Sequence, residues 1–222
     1  MMFKNVLIAE DHESASISVR KTLADLGVPD PDFAYYCDEA LKRVTIELRN
    51  KRPYGLLVTD LFFEPDDNPQ RLADGEALIT AVRQVQPDLK VLVFSAEHRA
   101  GVIEPLFEEL KIDGYVRKAR HDAQELRTAI ETIFSGKVHY PAHLRQVAAR
   151  KNAYDFTELD VMIITLLSRG VLQKNIPDYL QQKNMQPSAL RSVEKRLKQM
   201  RDALNFSKNE QLVIFCKDMG II

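Results

Sequence analysis

Thiols are scarce in this sequence. Cys37 and Cys216 are the two cysteines, and they lie far apart. Two isolated thiols build neither a disulfide framework nor a metal cage. Long apolar runs are missing as well, and no stretch approaches the length needed to span a membrane. Lys4 and Asn5 precede only a short apolar run with no small-residue cleavage site after it, so no secretory leader is expected. Internal repeats and low-complexity tracts are lacking. A dominant charge is lacking too, with 31 Lys+Arg against 32 Asp+Glu. These absences point to a cytoplasmic protein.

What remains is an ordinary globular mixture, 45% hydrophobic and 28% charged, across 222 residues. That length accommodates two small domains or one large one. The net charge of −1 divides unevenly: residues 151–222 carry 11 basic and 8 acidic side chains, and residues 1–150 carry 20 and 24. A mildly basic back half fits contact with nucleic acid, weakly on charge alone.

The run Leu56-Leu57-Val58-Thr59-Asp60 organises the front half. A short apolar run of this kind reads as a strand buried on both faces of a parallel sheet. Ligands of open α/β sheets bind beyond the carboxyl ends of the strands, where Asp60 sits. Val6-Leu7-Ile8-Ala9 ends in Glu10-Asp11, Val91-Leu92-Val93-Phe94 ends in Ser95, and Tyr115-Val116-Arg117 ends in Lys118. Three acids, a hydroxyl and a lysine around a metal would make a phosphoryl site.

The pattern predicts five strands alternating with five helices. Strands are expected at 3–10, 33–37, 56–60, 90–95 and 112–117, and helices at 12–27, 39–50, 75–86, 99–110 and 122–135. On the first helix Ile17, Leu23 and Leu26 form the inward face; Asp38 is read as the cap of the second. Residues 61–73, with Pro65, Asp66, Asp67, Asn68 and Pro69, form a polar loop. Strict alternation implies an α/β fold, a five-stranded doubly wound parallel sheet with helices on both faces.

After Gly136 the signals change. Residues 137–154, with His139 and His143 and a basic run, read as a linker. The strand pattern then disappears. Helices are expected at 157–169, 173–182, 188–205 and 208–218, which make a small all-α domain. The predicted division is 1–136, a linker at 137–154, and 155–222.

Residues 3–136 resemble the receiver domain of two-component response regulators, a flavodoxin-like fold. The resemblance rests on Glu10-Asp11, Asp60, Ser95 and Lys118, each at its strand end, with Tyr115 at the aromatic switch position. It implies that Asp60 accepts a phosphoryl group from a histidine kinase. It implies Mg2+ held by Glu10, Asp11, Asp60 and the backbone carbonyl of Phe62, with Lys118 and Ser95 on the phosphoryl oxygens. The switch would then run through Ser95 and Tyr115, Tyr115 moving into space that Ser95 leaves. Physical chemistry supports these roles: magnesium takes oxygen ligands and keeps several waters, and a carboxylate is a competent phosphoryl acceptor. Two departures stand out. Asp74-Gly75 comes fourteen residues beyond Asp60, so the loop is extended, and Ala119 replaces the proline, held in cis, that often follows the lysine.

Residues 155–222 resemble the LuxR-type (NarL/FixJ class) helix-turn-helix. Phe156-Thr157-Glu158-Leu159-Asp160 matches its opening, and Lys174, Ile176 and Leu180 its first motif helix. Ser192-Val193, Arg196, Met200 and Leu204 match its recognition helix. The resemblance, with the basic bias of 188–201, implies contact with double-stranded DNA through Lys174, Arg191, Ser192, Lys195, Arg196, Lys198 and Arg201. Here too there are departures. The turn from Leu180 to Ser192 is about six residues longer than usual, Glu194 replaces a common basic residue, and Pro177 fits its helix only if that helix begins near Asn175.

The expected function is thus a transcription regulator controlled by phosphorylation of Asp60. It would dimerise when phosphorylated and catalyse nothing beyond its own phosphotransfer and slow dephosphorylation. An enzyme of the haloacid-dehalogenase type also uses a strand-end aspartate and magnesium. That class needs a second aspartate two residues on, where this chain has Phe62. A signalling module whose C-terminal helices bind protein instead of DNA is the other alternative. His12 is read as a surface residue, because nothing pairs with it at metal-ligand spacing.

Overall fold

The computed structural model describes residues 3–28, 30–120, 122–142, 144 and 153–222. The chain divides into two compact units, Met1–His98 with Ile103–Pro141, and Arg99–Val102 with Ala142–Ile222. His143 and residues 145–152, half of the expected linker, lie outside the described residues.

From residue 6 to residue 134 five strands alternate with five helices. They are β1 (Val6–Ala9), α1 (Glu13–Asp25), β2 (Asp32–Ala34), α2 (Cys37–Arg49), β3 (Leu56–Thr59), α3 (Gly75–Val85), β4 (Lys90–Ser95), α4 (Ala100–Glu108), β5 (Gly114–Arg117) and α5 (Asp122–Phe134). All neighbouring strands are parallel, in the order β2-β1-β3-β4-β5. Side chains alternate across the sheet, so each apolar strand feeds two cores. Val6, Ile8, Val58 and Phe94 pack with Val19 and Leu23 of α1 and Leu126 and Ile130 of α5. Leu7, Ala9 and Leu57 pack with Ala40 and Val44 of α2 and Leu78 and Val82 of α3. Burying each such leucine, valine or isoleucine contributes about 1.5–3 kcal/mol. With both faces covered, the carboxyl ends of β1, β3, β4 and β5 are left as the place where polar side chains gather.

Two local expectations are corrected. Ile17 points to solvent, 57% exposed, and the buried face of α1 is Ser16, Val19, Thr22 and Leu23. The two hydroxyls tolerate burial because Ser16 Oγ donates to the Glu13 carbonyl and Thr22 Oγ1 to that of Ser18. Asp38 does not cap α2, which begins one residue earlier. Its carboxylate accepts hydrogen bonds from the backbone N–H of Arg71 and Leu72, pinning the extended loop. The Lys118–Ala119 peptide is trans, since the cis bond among the described residues is Gln186–Pro187. Past α5, His139 N–H donates to the Asp113 carbonyl at 2.9 Å and its own carbonyl accepts from Tyr115 N–H at 3.2 Å, so the edge of the sheet continues to His139.

The second unit is helical: α6 (Glu158–Ser168), a 3₁₀ turn (Gln173–Asn175), α7 (Ile176–Gln182), α8 (Leu190–Leu204) and α9 (Asn209–Asp218). Pro177 falls in the first turn of α7, where a missing N–H costs nothing. Thr157 and Asp160 form a reciprocal capping box that starts α6. Asn205 ends α8 in the left-handed region, φ 59°. Ile163, Ile164, Leu180, Val193, Leu197, Met200 and Leu212 are fully buried and make the core.

Candidate phosphoacceptor site

Asp60, 5% exposed, follows the central strand. Lys118 reaches it from the end of β5, with Nζ 2.6 Å from Asp60 Oδ2. The same ammonium lies 2.8 Å from Glu10 Oε2 and 5.6 Å from the centre of the Phe94 ring. Asp60 Oδ1 accepts the N–H of Leu61 at 2.6 Å. Asp11 Oδ2 accepts the N–H of Glu64 at 2.6 Å.

The electrostatics are unbalanced. Three carboxylates, Glu10, Asp11 and Asp60, face one ammonium. Burial pushes the Glu10 carboxyl up, with Lys118 opposing. Burial works to lower Lys118, but its ion pairs with Asp60 and Glu10 outweigh that and hold it above its ordinary value. Ligand atoms of Glu10, Asp11, His12 and Asp60 lie within 4.8 Å of one another. A dense set of carboxylate oxygens with surplus negative charge fits a hard divalent cation such as magnesium. Phe62 is two residues past Asp60, its side chain 54% exposed and lining the mouth of the site.

Ser95 ends β4 fully buried, and among the described residues its Oγ makes no well-formed hydrogen bond. An orphaned buried hydroxyl facing the Asp60–Lys118 pair suits an anionic oxygen that would accept its proton. Tyr115 lies beside it, fully buried, and donates its hydroxyl proton to the Glu97 carbonyl at 2.9 Å. Burial raises the phenol and the neighbouring Ser95 lowers it, with burial the larger effect. Tyr115 thus already occupies the inward position.

The extended loop does not displace the glycine that the site needs. Gly75 N–H donates to the Leu61 carbonyl at 2.9 Å. A Cβ at Gly75 would sit 2.0 Å from the Asp60 carbonyl oxygen. The chain therefore loops out between Phe62 and Ala73 and returns to the same contact. Only a glycine fits so close an approach of backbone to backbone.

His12, expected at the surface, is exposed, and it also joins the cluster of possible ligand atoms. Its Nδ1 lies 2.8 Å from Asp11 Oδ1, which holds the imidazole above its ordinary value. Adjacency to the acid pair was the available signal, although spacing alone did not mark it.

In the second unit, Arg191, Lys195 and Lys198 of α8 are exposed, as are Lys174 of the 3₁₀ turn and Glu194; Ser192 is half-buried. Lys198 Nζ lies 3.8 Å from Asp202. Two expected DNA contacts are engaged elsewhere. Arg196 donates through Nε to Asp160 Oδ1 at 2.8 Å and through Nη2 to Asp160 Oδ2 at 2.5 Å. Arg201 donates to the side-chain carbonyl of Asn209. Both guanidinium groups tie helices of this unit together.

No protein-family model matches the chain. No curated protein matches it either. Solved structures do. The chain is similar to the two-component response regulator RcsB in a DNA complex, at 20% identity over 96% of this chain and 98% of that one, with a TM-score of 0.60. It is similar to RcsB of Salmonella typhimurium at 20% identity, 98% and 99% coverage and a TM-score of 0.58. The isolated REC domain of RcsB from Salmonella enterica serovar Typhimurium, with the phosphomimetic BeF3−, matches at 25% identity, 64% and 96% coverage and a TM-score of 0.51. RcsB is also seen as two dimers bound to two parallel DNAs. The resemblance drawn from the residues is therefore matched at the level of fold, a receiver-type sheet followed by a helical unit. Among the described residues, no helix is long and apolar enough to cross a membrane.

Proposed function

We propose that this protein is a cytoplasmic response regulator in which a histidine kinase phosphorylates Asp60, and that the phosphorylated state controls DNA binding and transcription. One observation carries the reading. From three different strand ends, Lys118 pairs with both Asp60 and Glu10, ligand atoms of Asp11 lie within 4.8 Å of those of Glu10 and Asp60, and the buried Ser95 hydroxyl lies in the same pocket.

The chain's own residues divide the work. Leu61 N–H holds Asp60 Oδ1 and Lys118 holds Oδ2, so the carboxylate is fixed in rotation before a donor arrives. In transfer a carboxylate oxygen forms the new P–O bond while the phosphorus bond to the donor breaks, and the electron pair leaves with the donor. Lys118 and Ser95 then donate to phosphoryl oxygens. Glu10, Asp11, Asp60 and the Phe62 carbonyl would hold magnesium, which supplies neutralisation of oxyanion charge. Phe62 at the mouth offers an attacking water no hydrogen bond, which favours slow dephosphorylation and no turnover on other substrates. Tyr115, already inward, would be locked there when Ser95 engages the phosphoryl group. That lock would hold the surface near β4 and β5 in one of its arrangements and bias a homodimer.

RcsB, seen on DNA, supports the DNA reading for the helical unit. With Arg196 and Arg201 engaged, the exposed Lys174, Arg191, Lys195 and Lys198, with the half-buried Ser192, are the expected contacts left to meet phosphates. A second reading, protein binding by the same helices, is favoured by the exposed Tyr179 and Leu190 and by Glu194. Salt dependence separates the two, since phosphate contacts give a steep slope.

Acetyl phosphate with magnesium tests the central claim. Wild type should become labelled on Asp60 and Asp60→Asn should not; equal labelling of both would refute the assignment.

A further inference from the structure

Beside the acid cluster, the extended loop encloses a cavity of about 500 Å3. Small-molecule sites in proteins span roughly 300–1,000 Å3. Three rings, Tyr35, Tyr36 and Phe63, and three carboxylates, Asp11, Glu64 and Asp66, line it. Among the described residues no lysine or arginine lines it.

The wall is held in place by specific ties. Tyr36 Oη donates to Asp66 Oδ2 at 2.6 Å and accepts from Asn68 Nδ2 at 2.9 Å. Asp38 holds the N–H of Arg71 and Leu72 at 2.8 and 3.2 Å. Asp11 holds the N–H of Glu64. A loop of polar and proline residues would otherwise leave no defined space. These bonds set its two ends and its middle against α2 and the end of β1, so the cavity exists before any ligand enters.

We propose that this cavity is a binding site for a small organic cation carrying an aromatic or compact apolar body. Aromatic rings in the wall attract a cation and cover an apolar body. The carboxylates provide the counter-charge and reject anions. A neutral ligand of the same shape would gain the apolar contact and lose the charge term.

Asp11 belongs to both the cavity wall and the acid cluster. Cation binding in the cavity would therefore weaken divalent-metal binding at the cluster, and the metal would weaken the cation equally. This consequence rests on the metal reading given above; the cavity site itself does not.

The test uses the full chain in magnesium-free buffer and calorimetric titration with benzylammonium, benzyl alcohol and benzoate. Benzylammonium should saturate one site, benzyl alcohol should bind about tenfold more weakly, and benzoate should not bind. Asp66→Asn and Tyr35→Leu should each weaken benzylammonium by about fivefold while leaving acetyl phosphate labelling of Asp60 as in wild type. Absence of saturation, equal binding of the neutral analogue, or unchanged affinity in both variants would overturn the proposal. Loss of binding in Asp60→Asn but not in Asp66→Asn would place the cation at the acid cluster and would overturn it too. Labelling of Asp60 is scored separately, so a failed cavity leaves the phosphoacceptor reading standing, and the reverse.

Discussion

Arg196 of α8 clasps the carboxylate of Asp160 in α6 with two nitrogens, at 2.8 and 2.5 Å, and Asp160 is completely buried. The same guanidinium donates to Thr157 Oγ1 at 2.6 Å, joining the capping box that starts α6. The arginine that resembles a recognition-helix contact therefore organises the helical unit from within.

Arg196→Ala is accordingly expected to unfold the helical unit more readily. Removing one partner leaves a buried carboxylate without its counter-charge. Complete burial makes that cost about 3–5 kcal/mol, and the partial exposure of Arg196 reduces it to roughly 2–4 kcal/mol. Denaturant unfolding followed by far-UV circular dichroism should show a destabilised transition. Arg191→Ala, on an exposed side chain of the same helix, should leave it in place.

Gly75→Ala is expected to damage the site without touching a charged group. Its Cβ would collide with the Asp60 carbonyl oxygen, so either β3 or the start of α3 must shift. Overpacking of this kind costs about 1–3 kcal/mol. The variant should fold with a lower melting temperature and label poorly with acetyl phosphate. Normal labelling would show that the strand end tolerates the shift.

The Glu10 carboxyl gives the metal-free protein an unusual pH response. An unfolded glutamate titrates near 4.5, and burial raises the folded value above that. The folded state thus takes up its proton first as pH falls. Stability from this group should increase as pH drops through the folded value toward 4.5, and the ionised form should cost stability at neutral pH. Lys118 opposes part of this rise without overcoming burial, and its own raised value keeps it charged across this range. Metal-free Glu10→Gln should therefore melt higher than wild type at pH 7 and lose this slope. Added magnesium should raise the wild-type melting temperature more than that of the variant. An identical magnesium response in the two proteins would remove Glu10 from the metal site.

Much of this was legible in the chain because strand ends carry their own label. An apolar run followed by Asp60, Ser95 or Lys118 states both the burial of the strand and the location of the polar atom. What escaped was long-range. A basic residue on an amphipathic helix looks the same whether it faces solvent or an acid 36 residues away, as Arg196 does. Asp38 sits where a cap belongs, but its partners are 33 and 34 residues on, in a loop whose path the sequence does not dictate. Apolar character marks Ile17 for the inward face of α1, but that face is Ser16, Val19, Thr22 and Leu23, and the two hydroxyls on it are satisfied by their own helix.

Lys195 distinguishes docking from structure on the same helix. It is exposed, no ion pair holds it among the described residues, and it lies one residue before the committed Arg196. A phosphate contact from such a side chain is electrostatic and indifferent to base identity. Lys195→Ala should then weaken binding to all duplexes about equally and reduce the slope of log affinity against log salt by about one. Its unfolding curve should overlay wild type, unlike that of Arg196→Ala. Weakening confined to one sequence would mean that Lys195 reads a base edge. An unchanged salt slope would take α8 off the DNA and favour the protein-binding reading of the helical unit.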